Sequence, residues 1–424
     1  MSLQDRAWNI EQCVRCHQCK SSPVQTSKKF APICPAIEHG QFHAYSGSGK
    51  IITGYALMNG RAQYTPDVID SLTTCSLCGA CDTACHFHLG DLVEPLDSIY
   101  EVRAKMFTDG QVPAAQCKLL DNIASHGNSH GQPRAERVRW AKGLQLVDAT
   151  KEPVEILLHI GCANAFDEGQ WPGLAGVVEA FRKAGLSFGT LGEQEIHAGA
   201  LAYELGHREL AQRCAEDTAR LVRASGARLL VTCDAESIAA FRNFYPRMGV
   251  TFDPIRVLHI TEYLEELARD GHWATTAAHE EVVTYHDSCR LGRLSEPHVP
   301  WSGEWTTVMN GLRVAVPPRP HRYGLGGVYD APRELLQKVP GTRLVEMERR
   351  REFSYCCGAG GGGKEANPEF AEKAALDRLE EAVSTGATTL VSACGTCSHH
   401  LDATAKKHGV GIRVTDLVGY LTTA

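Results

Sequence analysis

The stretch CSLCGACDTAC, residues 75–85, spaces its cysteines as C-x2-C-x2-C-x3-C. Three thiolates at successive steps of three residues wrap around a small volume, which suits the corners of an iron–sulfur cube, whereas zinc sites usually use isolated C-x2-C pairs. A similar run begins nearer the N-terminus with Cys13, Cys16 and Cys19, and Cys34 completes it after fourteen further residues. The spacing therefore predicts two cubane [4Fe–4S] clusters, with zinc sites as the alternative.

This region resembles bacterial two-cluster ferredoxin modules, in which the fourth cysteine of each run ligates the other cluster. It departs from them in the long spacer Lys20–Ile33 and in His86, which follows Cys85 where proline is usual. His17 and His86 are interpreted as polar neighbours of the clusters and not as ligands. The crossed arrangement assigns the ligands as follows: Cys13, Cys16, Cys19 and Cys85 to cluster I, and Cys34, Cys75, Cys78 and Cys81 to cluster II.

The composition of the 424 residues is that of an ordinary globular protein. Hydrophobic residues make up 43% and charged residues 22%, so disordered and fibrous classes are excluded. The formal net charge of −7 provides no basic field for a nucleic acid. No apolar run approaches the roughly 18 residues that a membrane span needs, and Met1–Cys13 has no apolar signal core. We therefore expect a cytoplasmic protein, peripheral to a membrane only through partners, whose cysteines bind clusters instead of forming disulfides.

From about Glu155 the chain contains an internal repeat of strands that end at cysteines. Glu155–Cys162 and Val282–Cys289 each have the pattern of a buried strand, and Arg228–Cys233 and Thr389–Cys394 repeat it further along each copy. Strands that alternate with helices favour parallel α/β units, whose functional groups lie at the strand ends. The helical segments between the strands are predicted at Glu179–Ala184, Glu209–Ser225 and Pro368–Thr385.

The second copy carries five cysteines, including the adjacent pair Cys356-Cys357 in the stretch YCCGAGGGG. Adjacent cysteines cannot both reach comfortable corners of an ordinary cube, so this copy favours an unusual cluster. Glycines in the same stretch let the backbone approach closely. A phosphate-binding loop is the alternative, but the Ser or Thr that would hold magnesium does not follow Lys364. The five cysteines are Cys289, Cys356, Cys357, Cys394 and Cys397, which we call the CCG site.

This pattern resembles the cysteine-rich CCG domain of heterodisulfide reductase catalytic subunits, which also occurs in the iron–sulfur subunits of glycolate oxidase and anaerobic glycerol-3-phosphate dehydrogenase. The usual order in that family is a ferredoxin-like module followed by two CCG domains. The resemblance implies that the CCG site holds a non-cubane [4Fe–4S] cluster of the kind that cleaves disulfides, with Cys356 and Cys357 as catalytic residues. The stretches at 285–301 and 327–341 look closest to the heterodisulfide-reductase-like subunits of class II benzoyl-CoA reductase complexes.

The first copy departs from the pattern, because His197-Ala198 and Glu236 stand where the second copy has cysteines. One interpretation is a degenerate copy kept as a scaffold. The other is a mixed metal site formed by Cys162, His197, Cys233 and Glu236, all of which are legitimate metal ligands. The second copy also contains an insertion within Glu296–Gly327, which is predicted to be a loop that contacts a partner or covers a site.

The predicted order of domains is an α+β ferredoxin-like two-cluster module (1–110), a helical linker (111–152), a degenerate first CCG repeat (153–275) and a second CCG repeat (280–424), the repeats forming a duplicated α/β domain. No dinucleotide-binding fingerprint follows a strand, so flavin or NAD is expected on another subunit. The resemblance implies an electron-transfer subunit of a heterodisulfide-reductase-like, multi-subunit oxidoreductase with a flavin-containing partner. The alternatives are the iron–sulfur subunit of a glycolate, lactate or glycerol-3-phosphate dehydrogenase that passes electrons toward quinone, and a zinc-stabilised scaffold without redox function.

Overall fold

The computed structural model describes residues 2–24, 26–90, 92–309, 312–320 and 322–422. Its N-terminal part is helical, and the described residues before Val147 contain no β-strand, only an isolated bridge between Ser21 and Pro32. The helices of this part are α1 (Ala7–Glu11), α2 (Pro35–Gly40), α3 (Gly47–Met58), α4 (Pro66–Thr73), α5 (Ala80–Leu89), α6 (Pro95–Thr108) and α7 (Ala114–His126).

The strands implied by an α+β ferredoxin-like module are thus not present in the described N-terminal residues. Helix-start signals explain this difference. The Ser46 hydroxyl accepts a hydrogen bond from the Gly49 amide at 3.0 Å and caps α3, and the Thr65 hydroxyl caps α4. Pro35 occupies the first turn of α2, where a missing N–H costs nothing. The segments between the cysteine runs therefore form helices that leave the cysteines on short connections and first turns.

The first α/β unit, residues 147–269, contains a parallel sheet in the strand order β1-β3-β2-β4-β5. The edge strand β1 lies in the segment 111–152, which the sequence predicted to be a helical linker. The elements are β1 (Val147–Asp148), β2 (Ile156–His159), α8 (Cys162–Phe166), α9 (Trp171–Lys183), β3 (Phe188–Thr190), α10 (Ala200–Glu204), α11 (Arg208–Ala224), β4 (Leu229–Thr232), α12 (Ala235–Ala239), α13 (Tyr245–Arg247), β5 (Arg256–His259) and α14 (Ile260–Arg269).

The second α/β unit (residues 280–424) contains a parallel sheet in the order β11-β10-β6-β9. Read from the other edge, this order matches β3-β2-β4-β5 of the first unit strand for strand. The elements are β6 (Glu281–His286), β7 (Glu304–Val308), β8 (Leu312–Val316), α15 (Asp330–Gln337), β9 (Thr342–Val345), α16 (Gly363–Ala366), α17 (Pro368–Ser384), β10 (Thr389–Ser392), α18 (Gly395–His408), β11 (Arg413–Asp416) and α19 (Leu417–Thr422).

Two hydrophobic cores cross the predicted domain boundaries. Leu157 and Leu230, on neighbouring strands of the first sheet, belong to a core that also contains Ile51 of the N-terminal helices. The next residues along the same strands, Leu158 and Val231, belong to another core, which also contains Val283 and Leu390 of the second unit. Successive strand residues point to opposite faces of a sheet, so one face of the first sheet contributes to a core shared with the N-terminal helices and the other to a core shared with the second unit.

The insertion in the second unit contains the antiparallel hairpin β7–β8 and packs against the N-terminal helices of its own chain. The ring centroids of Trp305 and Trp8 lie 5.2 Å apart, and Arg319 forms an ion pair with Glu94 at 2.7 Å. The segment therefore contacts the two-cluster region. Among the described residues, no helix is both long and apolar enough to cross a membrane.

Candidate iron–sulfur sites

The cysteines assigned to cluster I lie around the N-terminal end of the chain and one turn of α5. Cys13 follows α1, Cys19 lies in the 3₁₀ turn Gln18–Lys20, and Cys85 lies in α5. Burial raises the pKa of the Cys85 thiol, and the nearby charges of Asp82 and of the three other cysteines raise it further. The mutual influence of these thiols shows that Cys85 lies beside the first run and not with its own run.

The cysteines assigned to cluster II line one cavity. Cys34 precedes α2, and Cys75, Cys78 and Cys81 enter the cavity from the loop before α5 and its first turn. Burial, reinforced by Cys75, raises the pKa of Cys34 to about 12. The buried Lys50 ammonium donates a hydrogen bond to the Ser71 carbonyl oxygen. Four sulfur donors around one enclosed space fit a cubane cluster.

Gly47 separates the two sets of thiols. A Cβ atom at this glycine would lie 2.7 Å from Cβ of Cys81 and 3.6 Å from Cβ of Cys19. Cys81 belongs to the cluster II set and Cys19 to the cluster I set, so the two sets meet across the first residue of α3. A side chain at position 47 would fill the narrow space between them.

The five thiols of the CCG site come together at the carboxyl ends of strands β6 and β10 and in the glycine-rich loop before α16. The Sγ atoms of Cys357 and Cys397 are 3.2 Å apart. Cys356 contacts the thiols of Cys289 and Cys357, and Cys397 contacts that of Cys394. All five side chains are buried.

Cys78 of cluster II touches Cys356 of the CCG site. The contact with Cys356 and the Arg293 guanidinium lower the pKa of Cys78 to about 5, although burial opposes this. The Ser76 hydroxyl also lies 3.2 Å from Sγ of Cys356. The ligand sets of cluster II and of the CCG site are therefore neighbours, although Cys356 lies 278 positions after Cys78 in the sequence.

Arg293 is held rigidly where these two sets meet. Its Nε donates to the Cys78 carbonyl oxygen at 2.9 Å, and its Nη1 donates to the carbonyl oxygens of Ser354 and Glu352 at 2.7 and 2.8 Å. Its Nη2 is buried and has no hydrogen-bond partner among the described residues. A fixed positive charge with one free N–H thus lies between the two sulfur-lined sites.

The glycine-rich stretch packs directly on the backbone of the cluster II loop. A Cβ atom at Gly361 would lie 2.8 Å from the carbonyl carbon and oxygen of Ser76, and one at Gly363 would lie 2.9 Å from the Cys75 carbonyl oxygen. Gly361 also has a φ of +62°, in the left-handed region. The close backbone approach expected for these glycines is therefore made to another part of the same chain.

His286 is a functional candidate that the sequence analysis did not single out. One of its ring nitrogens and the sulfur atoms of Cys357 and Cys397 all lie within 4.8 Å of one another. Nε of Arg378 donates to His286 Nδ1 at 3.0 Å. Nδ1 must therefore accept, which leaves the proton on Nε2, the nitrogen that has no other partner among the described residues. A signal was present, since a histidine stands three residues before the cysteine in both copies, at His159 and His286.

The structure does not gather the four residues of the mixed metal site suggested for the first α/β unit. His197 Nε2 lies 3.1 Å from a carboxylate oxygen of Glu236, but no three of the four donor atoms lie within 4.8 Å of one another. Nη2 of Arg137 donates to Sγ of Cys162 at 3.0 Å, so this thiol already has a partner. Cys233 is buried, and burial raises its pKa. These side chains support one another and do not form a site for a single metal ion.

A cavity of about 340 Å³ lies between the two α/β units. The second unit contributes Cys289, Cys357, Cys394 and Cys397 to its wall, and the first unit contributes residues that include Glu236. The first unit therefore takes part in the CCG site by forming one side of the space in front of the thiols.

Comparison with known proteins identifies two domains in the chain. The 4Fe-4S dicluster domain family matches residues 9–89, and the cysteine-rich CCG domain family matches residues 319–402. The resemblance to CCG-domain iron–sulfur oxidoreductases, stated from the cysteine pattern, is confirmed. The chain thus matches an iron–sulfur dicluster domain near its N-terminus and a CCG domain in its second half.

Similar proteins carry names of redox complexes. The chain is 29% identical to the probable iron–sulfur-binding oxidoreductase FadF of Bacillus subtilis over 84% of its own length, and 27% identical to the EtfAB:quinone oxidoreductase of Syntrophomonas wolfei over 85%. It spans 46% and 50% of these two proteins. It is also 27% identical to a subunit of the dihydromethanophenazine:CoB–CoM heterodisulfide reductase of Methanosarcina acetivorans, over 96% of this chain and 92% of that one.

The crystal structure of a hypothetical protein from Helicobacter pylori shares the fold. It superimposes with a TM-score of 0.51 at 10% identity, over 89% of this chain and 68% of that chain. The similar proteins described above are named as oxidoreductases or as subunits of them.

Proposed function

We propose that this chain is an iron–sulfur electron-transfer subunit of a heterodisulfide-reductase-like oxidoreductase, in which two cubane [4Fe–4S] clusters and one non-cubane CCG cluster relay electrons. The observation that carries the proposal is the packing of Cys78, Cys289 and Cys356 in one buried cluster, because it joins the ligand set of cluster II to that of the CCG site. An electron at cluster II would have to cross only the contact between neighbouring ligand side chains.

The order of the sites supports a linear path. Cys19 of cluster I and Cys81 of cluster II face each other across Gly47, and Cys78 of cluster II touches Cys356. Cubes whose irons are all held by thiolates bind no substrate and pass electrons one at a time. When bound, a non-cubane cluster would supply redox chemistry at sulfur, facing the cavity between the two α/β units. The residues around it hold the geometry: Arg378 orients His286, and His286 presents an N–H to the sulfur of Cys357.

The proposal includes a flavin-containing partner and further subunits. It is supported by the lack of a dinucleotide-binding fingerprint in the sequence and by the names of relatives that are subunits or larger proteins. The specific likeness to subunits of class II benzoyl-CoA reductase complexes stays a prediction.

The second candidate function is electron delivery toward quinone, as in the iron–sulfur subunits of hydroxyacid or glycerol-3-phosphate dehydrogenases. The name of the EtfAB:quinone oxidoreductase, 27% identical over 85% of this chain, favours it. Both candidates use the same row of clusters and differ in the terminal acceptor. Assays of the loaded protein with a disulfide and with a soluble quinone would separate them.

The cluster content is tested by anaerobic purification, iron and sulfide analysis, and electron paramagnetic resonance (EPR). Three clusters predict about 12 Fe per chain, whereas about 8 Fe with only cubane signals would contradict the CCG cluster. A colourless protein that holds zinc would contradict the proposal as a whole.

Cys357→Ser should alter the EPR signal of the CCG cluster and leave both cubane signals intact. Cys357 touches Cys356 and Cys397 but no thiol of cluster I or cluster II. Cys214→Ser is the matched control, because Cys214 is equally buried but lies in α11, away from the three ligand sets. Loss of the cubane signals in Cys357→Ser would show that the sites do not load independently.

A further inference from the structure

The loop that carries Cys13, Cys16 and Cys19, which we call the cluster I loop, is the part of the row of sites that is exposed to solvent. Of the seventeen cysteines, all of which the structure describes, Cys16 alone is exposed. Its neighbours Arg15 and His17 have left-handed φ values of +56° and +67°, and both side chains are exposed. The cysteines of the CCG site are all buried, and those of cluster II are buried or half-buried. An electron that enters or leaves through protein contact has its shortest route at this loop.

Apolar side chains surround the same loop. Val14, which follows Cys13, is 71% exposed, and Phe87, two residues after Cys85, is 58% exposed. Phe42, 67% exposed, precedes His43, whose ring centroid lies 4.2 Å from that of His17. Exposed apolar groups gathered around one site indicate a contact surface.

The loop is also positively charged in a chain whose net charge is −7. Residues 13–30 contain Arg15, Lys20, Lys28 and Lys29 and no acidic residue. Lys29 pairs with Glu380 at 2.7 Å, but the other three cations form no ion pair with any residue in the described ranges. Arg15 and Lys20 both lie close enough to His43 to lower its pKa, although burial has the larger effect. These charges are therefore free to meet an opposite charge on another molecule.

We propose that this loop, with Val14, Phe42 and Phe87 around it, is the docking surface for an acidic protein that carries a one-electron redox group. An apolar contact framed by unpaired charges is the arrangement by which complementary potentials steer short-lived electron-transfer encounters. One electron passes between the partner's group and cluster I, so one is oxidised as the other is reduced, and no bond forms or breaks. This inference rests on the proposed function, because it requires a loaded cluster I.

The test follows, by stopped-flow absorbance, the reduction of the cluster-loaded full chain by reduced flavodoxin, an acidic FMN protein. We expect the second-order rate constant to fall about tenfold between about 20 mM and about 300 mM NaCl, because salt screens the attraction. Arg15→Glu with Lys20→Glu should slow the reaction at low salt by about tenfold and remove the salt dependence. Reduction by propyl viologen sulfonate, which is small and carries only a single net negative charge in its reduced form, should stay close to the native rate.

Lys142→Glu with Arg213→Glu is the matched control. Both side chains are exposed, lie in other parts of the chain and form no ion pair with any described residue, and the pair changes the net charge by the same amount. This control should keep the native rate and salt dependence. If the control variant slows the reaction as much as the loop variant does, or if the native rate does not depend on salt, the proposed docking surface is wrong.

EPR of each variant separates this inference from the proposed function. Absence of cluster I in the native protein would overturn the function itself, whereas intact clusters with unchanged kinetics in the loop variant would overturn only the surface. If the double Glu variant loses cluster I, the uncharged pair Arg15→Gln with Lys20→Gln replaces it. That pair is expected to slow the reduction of the chain by flavodoxin at least threefold at low salt, and native kinetics would contradict the proposal.

Discussion

His286, the last residue of β6, holds a proton in a fixed position beside the thiols of the CCG site. Because Arg378 donates to Nδ1, the Nε2–H is the group left to donate to a sulfur of a bound cluster, and a ring nitrogen of His286 lies within 4.8 Å of the sulfur atoms of Cys357 and Cys397. Hydrogen bonds to cluster sulfurs stabilise the reduced form, which carries more negative charge, and so raise the reduction potential.

We therefore expect His286→Leu to lower the reduction potential of the CCG cluster. Loss of a hydrogen bond with a net value of about 0.5–1.5 kcal/mol corresponds to about 20–60 mV for one electron. The measurement is a redox titration followed by EPR. His400→Leu is the control, since His400 lines the same cavity but hydrogen-bonds the Ala371 carbonyl oxygen. A potential unchanged in His286→Leu, with the cluster intact, would rule out this role.

Single residues show what the cysteine spacing could predict and what it could not. The spacing predicted two runs of thiols, and the resemblance to two-cluster ferredoxins implied that their fourth cysteines are exchanged. The structure places Cys85 near the first run and Cys34 with the second, although whether they hold clusters stays a prediction. The spacing did not reveal that Arg137 occupies the Cys162 thiol, because their contact depends on how the segment 111–152 packs on the first sheet. Arg293 was missed for the same reason, since its partners are backbone carbonyls distant in sequence.

At the level of elements, the glycine-rich loop before α16 lies between the cluster II loop and the CCG site. Gly361 combines a left-handed φ of +62° with a backbone contact that leaves no room for a Cβ atom. Both features make glycine necessary at this position.

Gly361→Ala should destabilise the loaded protein by about 2–5 kcal/mol, from left-handed strain of about 1–2 kcal/mol and overpacking of about 1–3 kcal/mol. Thermal unfolding under anaerobic conditions measures this. Gly409→Ala is the control, because Gly409 also has a positive φ of +63° but nothing lies within 4 Å of its Cβ position. The control should lose only the stability that the left-handed backbone costs. Equal losses of stability in the two variants would therefore contradict the packing argument.

The strands that end at cysteines were predictable as elements. The structure has β2, β4, β6 and β10 at the segments with that pattern, because continuous apolar runs mark buried parallel strands. The segment of the hairpin β7–β8 was interpreted as a loop because of its Pro, Gly and aromatic residues, and most of its described side chains are exposed in the structure. The two-residue strand β1 is too short to carry any periodicity.

On the scale of the whole molecule, the first sheet contributes to two cores that extend into other parts of the chain. Leu157 and Leu230 belong to the core shared with the N-terminal helices, and Leu158 and Val231 belong to the core shared with the second unit. An apolar strand pattern indicates burial on both faces but does not identify what covers each face. For this reason the sequence predicted successive domains, whereas in the structure the hydrophobic cores contain residues from more than one of them.

A fragment of residues 153–424 is therefore expected to aggregate or to unfold without a cooperative transition. Removal of the N-terminal part would expose Leu157, Leu230 and Phe241, which are buried in the full chain. Size-exclusion chromatography and thermal unfolding by circular dichroism, with the full chain as reference, test this. A monomeric fragment with a sharp transition would show that the second half is an independent domain.

The packing of Gly361 and Gly363 on the backbone of Ser76 and Cys75 also implies a sequence of events during maturation. Once this contact has formed, the second α/β unit covers the loop that carries the cluster II cysteines, and iron carriers lose access to them. The CCG cysteines still face the cavity of about 340 Å³ between the two units. Delivery of iron and sulfide to cluster II should therefore come before the chain closes, and delivery to the CCG site can come last.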